Sequence, residues 1–433
     1  MNPKQRETDL GKLRAENQRL RRSVQELSVL NDVAVAISSA RSLNTIIELI
    51  VDRCVKHFAV EQAAVMLLER ADKEAAFYTV VRRADQTRVR LPYRLDSQLT
   101  GWMLRYRKPL LINDLSADER FSATRAADCP IHSLLTVPLF LKGQMLGLIG
   151  LFNKRDAAGF SENDQRLLSI LATESAQVIE NGRLYEEERE LERLQAELRA
   201  AAHIQKNLLP AQVPKIPGYD VAAINLPART VSGDYFDFIP LSDSRLAFCL
   251  GDVSGKGMPA ALLMANLQAT LRGQVLLGLK PSECLQNTNY LIWKSTTPEK
   301  FATLFLSVLD FKNHRLIYSN AGHDAPYFLK GNKTTRLQAG GIVLGFLESS
   351  AYKQASLDFA PGNVLVVYSD GITEATNLKD EQFGEARLLQ AISSALSGTA
   401  EEILHAILQA VDAFKGMQEQ ADDITLMVLK REA

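Results

Sequence analysis

Four acidic stretches stand out along this chain as groups able to do chemistry: Gly233-Asp234-Tyr235-Phe236-Asp237, Gly251-Asp252-Val253-Ser254-Gly255, Ser369-Asp370-Gly371 and Asp422-Asp423-Ile424-Thr425. Spaced carboxylates with no histidine or cysteine cluster beside them suit hard, oxygen-preferring divalent cations such as Mg²⁺ or Mn²⁺. Each aspartate alone has an ordinary explanation, since Asp-Gly is a common turn and Asp before a helix is a cap. Their positions say more. Asp252 and Asp370 each follow an apolar run with the texture of a strand, at 246–250 and 364–368, and Asp422 precedes another. Strand ends are where a rigid sheet can converge several anions on one metal.

Those motifs need a framework. After Pro210, Pro214, Pro217 and Gly218, apolar runs at 245–250, 302–309, 315–319, 364–368 and 424–429 read as strands, with helices around 260–277 and 400–415. Hairpins mixed with helices favour an α+β class over a parallel wound sheet. Upstream, strand-like runs occur at 63–68, 77–81, 109–112, 134–141 and 144–152, the last two joined at Lys142-Gly143. A helix then opens on a Ser-Glu-Asn-Asp cap at Ser161, carries Leu167, Leu168, Ile170, Leu171, Val178 and Ile179, and continues until Leu209-Pro210. Within it Leu184, Leu191 and Leu198 keep a seven-residue step and Leu194 with Ala201 supply a second seam position, so two copies are expected to pair. Residues 8–37 show the same period, with Leu13, Leu20, Leu27 and Ala34 at one position and Leu10, Asn17, Val24 and Asn31 at its partner. A short coiled coil is expected there, and asparagine at the seam favours a parallel dimer.

Composition removes several function classes. The 433 residues are 46% hydrophobic and 23% charged, enough for two or three domains at roughly 100 to 200 residues each. Fifty basic against 51 acidic side chains leave a net charge of −1, so no bulk electrostatic footprint for nucleic acid exists. The opening MNPKQRETDL lacks the apolar stretch of a signal peptide, and the run at 134–141 is broken by Pro138 and Lys142; no membrane span and a cytoplasmic location are expected. Cys54, Cys129, Cys249 and Cys284 are far apart and fit neither a zinc site nor a disulfide framework. None has an arginine six residues downstream, which excludes a cysteine-nucleophile phosphatase loop. Lys256 is followed by Gly257 where a nucleotide-binding P-loop needs Ser or Thr, and no kinase ATP lid follows His203.

Over most of residues 30–182, Gly101-Trp102, LLINDLSADERF, HSLLTVPLFLKGQMLGLIGLFNK and FSENDQRLLSILATESAQVIEN together resemble a GAF domain. That resemblance implies a mixed α/β sensor for a small molecule or protein. Asn153-Lys154, Phe160 and Asp164 resemble the signature of cyclic-nucleotide-binding GAF domains, although Gln165 stands where that signature has glutamate. The same lysine and aspartate, flanking a strand-to-helix connection, suit an ion pair that clamps the loop. Cys54 and Cys129 are candidate redox sensors or, more ordinarily, small buried hydrophobes.

From residue 200 to 430 the ordered series AAHIQKNLLP, LPARTVSGDYFD, LGDVSGKGMPAALLMA, FATLFLSVLD, YSNAGHDAP, VVYSDGITEA and QADDITLMVL resembles the SpoIIE-like branch of metal-dependent, type 2C (PPM) serine/threonine protein phosphatases. With a GAF domain upstream, the chain is similar to RsbU-type regulatory phosphatases of bacterial partner-switching pathways. The expected organisation is a coiled coil over 1–37, a GAF sensor over 38–182, a helical linker over 183–210 and a PPM-type α/β/β/α sandwich over 211–433. The resemblance implies two Mn²⁺ or Mg²⁺ ions, with Asp252 bridging both, the Val253 carbonyl on one, and Asp370 with Asp422 or Asp423 on the second. It further implies that Asp234 orients water and that Arg229 binds phosphate. Water shared by two such ions, roughly 3.5 to 4 Å apart, ionises near neutral pH and attacks phosphorus without a covalent intermediate. A phosphorylated STAS-domain substrate and a small-molecule or protein regulator of the GAF domain follow from the same resemblance, and the heptads add the expectation of a homodimer. The rival expectation is a pseudophosphatase scaffold, against which all four aspartate motifs are intact.

Overall fold

The computed structural model describes residues 42–68, 77–84, 97–124, 131–297, 299–331 and 333–432, together with positions 13, 16, 17 and 20. The heptad segment at 8–37 lies almost wholly outside the described residues. Two compact units divide between Arg193 and Leu194.

In the first unit, strands β1 (Val60–Leu68), β2 (Phe77–Ala84), β3 (Leu110–Ile112), β4 (Leu134–Leu141) and β5 (Gln144–Lys154) form one sheet in the order β2-β1-β5-β4-β3. Successive β1 side chains serve opposite faces, as strand geometry requires. Ala63, Val65 and Leu67 pack with helix Leu43–Phe58 and with Leu168, Leu171, Ala172 and Ile179 of the long helix Glu162–Lys206. Ala64 and Met66 pack on the other side with Met103, Phe121 and Phe152. The long helix starts where Ser161 and Asp164 cap each other: the Ser161 backbone N–H donates to Asp164 Oδ2 at 2.8 Å, and the Asp164 N–H donates to Ser161 Oγ at 3.2 Å.

The second unit is a sandwich. Strands β7 (Tyr235–Ser242), β8 (Arg245–Val253), β9 (Ala302–Asp310), β10 (Arg315–Ala321), β13 (Gly340–Gly341) and β14 (Ala355–Asp358) form one sheet, in which β13-β10-β9-β8-β7 run side by side and β14 pairs with β10. Strands β6 (Tyr219–Leu226), β11 (Tyr327–Lys330), β12 (Lys333–Arg336), β15 (Val364–Tyr368) and β16 (Ile424–Arg431) form the other, in the order β12-β11-β15-β16-β6. Both faces of each sheet are covered, which is why β8 and β15 read as continuous apolar runs. Phe248, Phe305, Leu316, Leu365, Met427 and Leu429 fill the space between the sheets. Ala247, Cys249 and Leu306 face helices Met258–Leu276 and Pro281–Ser295, and Val366, Leu426 and Val428 face helices Gly384–Ser394 and Ala400–Lys415. This is the α/β/β/α layering expected. Among the described residues, no helix is long and apolar enough to cross a membrane.

Candidate active site

Two strand ends, a turn and a strand start bring the acidic motifs together. Asp252 is the penultimate residue of β8, Asp370 opens the one-turn helix Asp370–Thr373 after β15, and Asp422 and Asp423 lead into β16 beside it. The antiparallel pairing of β15 with β16 and the Ser369 backbone N–H donating to Thr425 C=O at 2.9 Å set Asp370 next to the Asp422–Asp423 backbone. A Cβ on Gly371 would lie 2.0 Å from the Asp423 carbonyl oxygen, so this approach needs glycine.

The electrostatics are those of crowded anions. Burial, then the charges of Asp370 and Asp422, push the Asp252 carboxyl up to about 7. Burial, then Asp422, pushes Asp370 up to about 6. Asp234 is buried and hydrogen-bonded to Asp252, and burial followed by the Asp252 charge raises its carboxyl well above the carboxylate range. A hydroxyl from Thr425 donates to Asp234 Oδ2. Like charges in one site favour protonation of some members unless a cation is present. Among the described residues no group of three or more carboxylates, histidines or cysteines closes into a ready-made metal cage. Asp422 is instead turned toward Lys256, whose Nζ lies 2.8 Å from Asp422 Oδ2 and donates to the Ala421 carbonyl at 2.9 Å.

The donor set fits a divalent cation of the hard class. Asp252 Oδ1 and the Val253 carbonyl oxygen both lie 3.3 Å from where a Gly233 Cβ would be, so two oxygens face one small space that glycine leaves open. All the candidate donors are oxygens.

The two adjacent aspartates, equivalent on sequence grounds, differ in the structure. Asp423 Oδ1 accepts the Ala228 N–H at 2.8 Å, and Oδ2 accepts the Ser232 hydroxyl at 2.8 Å and the Gly233 N–H at 2.7 Å. Its carboxylate holds the loop before Asp234, whereas Asp422 is the charge that perturbs both Asp252 and Asp370. Arg229 is exposed on the loop that Asp423 anchors.

Supporting residues were less legible. Thr303 Oγ1 takes the Asp252 N–H at 3.2 Å and lies 2.9 Å from His323 Nδ1. Burial pushes His323 down to about 4, so its imidazole is neutral at neutral pH. Asn320 grips the His323 backbone through both ends of its amide, at 2.7 and 2.9 Å. The AGH and FATLF motifs are visible in sequence, but only the β8–β9 and β9–β10 pairings show that they meet at Asp252.

In the first unit three of the cyclic-nucleotide-like signature residues, Lys154, Phe160 and Asp164, meet one another, and the fourth, Asn153, is held by other residues. Lys154 Nζ and Asp164 Oδ2 are 2.6 Å apart with side chains only 12% and 17% exposed, and Lys154 stands over the Phe160 ring. Asn153 donates to Glu61 and accepts the His132 N–H, each at 2.8 Å. These contacts clamp the connection between β5 and the long helix. Cys54 is fully buried, which pushes its thiol up to about 12 and removes thiolate character; Cys129 lies outside the described residues.

Comparison with known proteins gives two family matches: Stage II sporulation protein E (SpoIIE) over residues 242–432 and GAF domain over residues 40–180. Phosphoserine phosphatase RsbU of Bacillus subtilis (strain 168) is 32% identical over 257 residues, covering 58% of this chain and 76% of that protein. Protein IcfG of Synechocystis sp. is 32% identical over 266 residues, covering 54% of this chain and 41% of that protein. Among solved structures, the SiaA-PP2C domain of Pseudomonas aeruginosa superposes with a TM-score of 0.50 at 19% identity, covering 55% of this chain and 98% of that one. At that identity the likeness speaks to the fold of the second unit.

Proposed function

The chain belongs to the family of RsbU-type, SpoIIE-domain serine/threonine protein phosphatases, and we propose that it removes phosphate from a phosphoserine or phosphothreonine of a regulatory protein at the aspartate cluster, with two Mn²⁺ or Mg²⁺ ions held there. The observation that carries the reading is the convergence of Asp252, Asp370 and Asp422, whose mutual repulsion together with burial raises the Asp252 and Asp370 carboxyls and favours a bound cation. Bound divalent ions supply an activated water and offset the charge of the phosphoryl group. Asp252 and the Val253 carbonyl offer two oxygens to one small space, and Asp370 with Asp422 completes the set. Asp234, fixed by the Thr425 hydroxyl, orients the attacking water. Arg229 is exposed where an incoming phosphate can be met.

By analogy with RsbU, the substrate is a phosphorylated STAS-domain protein of a partner-switching pathway in the cytoplasm. The GAF unit carries the regulatory input, from a small molecule or a protein. Exposed Leu184, Leu191, Leu194 and Leu198 on the long helix provide the pairing face of a homodimer. Phosphate release from phosphorylated STAS-domain proteins of the same organism, measured with Mn²⁺ and with excess chelator, tests the activity. Release that persists in chelator, or that Asp370→Asn leaves intact, would sink it.

A further inference from the structure

The last turn of the long helix is inverted relative to ordinary burial. Ile204 is 64% exposed, while its polar neighbour Gln205 is 8% exposed. Glutamine is among the residue types seldom buried, and a buried amide costs stability unless each end finds a partner. Both ends of Gln205 do. Nε2 donates to the Ser232 carbonyl at 2.7 Å, and Oε1 accepts the Ser232 backbone N–H at 3.0 Å. One side chain thus takes both backbone polar groups of one residue, as a neighbouring strand would.

Ser232 is where the loop meets the carboxylates. Its hydroxyl donates to Asp423 Oδ2 at 2.8 Å and accepts the Asp234 N–H at 3.0 Å. The next residue, Gly233, donates its N–H to Asp423 at 2.7 Å and faces Asp252 Oδ1 and the Val253 carbonyl across the small space described above. The loop is therefore gripped on one side by Asp423 and on the other by Gln205. Loss of either grip frees the backbone that sets Gly233 and Asp234 against the other donors.

We propose that Gln205 is a positioning residue for the phosphatase reaction, holding the Ser232–Asp234 backbone in the geometry that the aspartate cluster requires. It touches neither substrate nor the reacting atoms. Because it stands in the final turn of helix Glu162–Lys206, a rotation or shift of that turn is delivered through two hydrogen bonds to the loop bearing Asp234. This inference rests on the functional reading above, and its test separates the two.

The test compares the full chain with Gln205→Met, which keeps the volume and loses both hydrogen bonds, and Gln205→Glu, which keeps the acceptor for the Ser232 N–H and loses the donor. Hydrogen exchange of the Ser232 amide is followed beside Mn²⁺-dependent turnover of a phosphoserine substrate and the thermal midpoint. In Gln205→Met, faster Ser232 exchange is expected with kcat down by about 10- to 100-fold, as for a misplaced catalytic frame, while KM stays within about twofold. Gln205→Glu is expected to fall between the parent and Gln205→Met in Ser232 exchange. Unchanged exchange and unchanged kcat in Gln205→Met would overturn the proposal, as would a loss of kcat that follows a matching fall in midpoint. If the parent chain itself shows no Mn²⁺-dependent turnover, the functional reading fails, and the exchange measurement still decides whether Gln205 holds the loop.

Discussion

Replacing Asp252 with Asn is expected to stabilise the metal-free protein while removing its response to metal. Burial and the Asp370 and Asp422 charges push the Asp252 carboxyl from 3.8 to about 7. At about 1.4 kcal/mol per pH unit, ionising it in the folded state costs on the order of 4 kcal/mol relative to the unfolded chain. The sign follows from proton counting: between the two values the folded state binds more protons than the unfolded one, so stability falls as pH rises, and above about 7 the whole cost is present. Asparagine removes that cost and keeps the shape. For a unit of this size, about 2 to 4 °C per kcal/mol translates the gain into roughly 8 to 16 °C in chelator at pH 8, shrinking to less than half at pH 5. Added Mn²⁺ should then close most of that gap, since a cation at 100 times its dissociation constant stabilises the parent by about 2.7 kcal/mol and the variant by far less. Differential scanning calorimetry of both proteins in chelator and in Mn²⁺ measures each step. A metal-free Asp252→Asn protein less stable than the parent at pH 8, or a gain equal at pH 5 and pH 8, would refute the reasoning.

Three further outcomes are expected. Asp423→Ala strips three hydrogen bonds from the loop at 228–233 and should cost about 2 to 4 kcal/mol by denaturant unfolding, with loss of turnover. Lys154→Ala breaks a largely buried ion pair and should destabilise the GAF unit by about 3 kcal/mol, whereas calorimetric titration of the parent with cyclic AMP or cyclic GMP should give no saturable heat, because Lys154 is engaged with Asp164 and Asn153 with Glu61. Charged substitution of Leu191 and Leu198 together should shift sedimentation from dimer to monomer and uncouple turnover from the GAF unit; an unchanged sedimentation profile would make the helix a plain tether.

Much of the frame was legible because both sheets of the second unit are covered on each face, so their strands announce themselves as apolar runs ending at Asp252 and Asp370. Helix Pro281–Ser295 was not foreseen: its buried contacts are spread over Cys284, Leu285, Thr288, Asn289 and Ile292, a face too polar to stand out by period. The distinct placement of Asp422 and Asp423 was hidden for another reason. Neighbouring residues at a strand entry point to different sides, and which side holds the loop depends on Ala228, Ser232 and Gly233, about 190 residues away. Thr303, His323 and Gln205 were hidden in the same way, since each meets a residue remote in sequence. The cyclic-nucleotide signature shows the converse case, where two residues that stand out by type, Lys154 and Asp164, form an ion pair with each other.

The most direct test of the account is the Mn²⁺ binding isotherm of the purified chain beside Asp252→Asn, followed by calorimetry or by the paramagnetic resonance of free Mn²⁺. If Asp252 is shared between two ions, as proposed, the parent should bind two ions and Asp252→Asn should lose both high-affinity sites. An Asp252→Asn isotherm that overlays the parent's would contradict the assignment of the aspartate cluster as the metal centre.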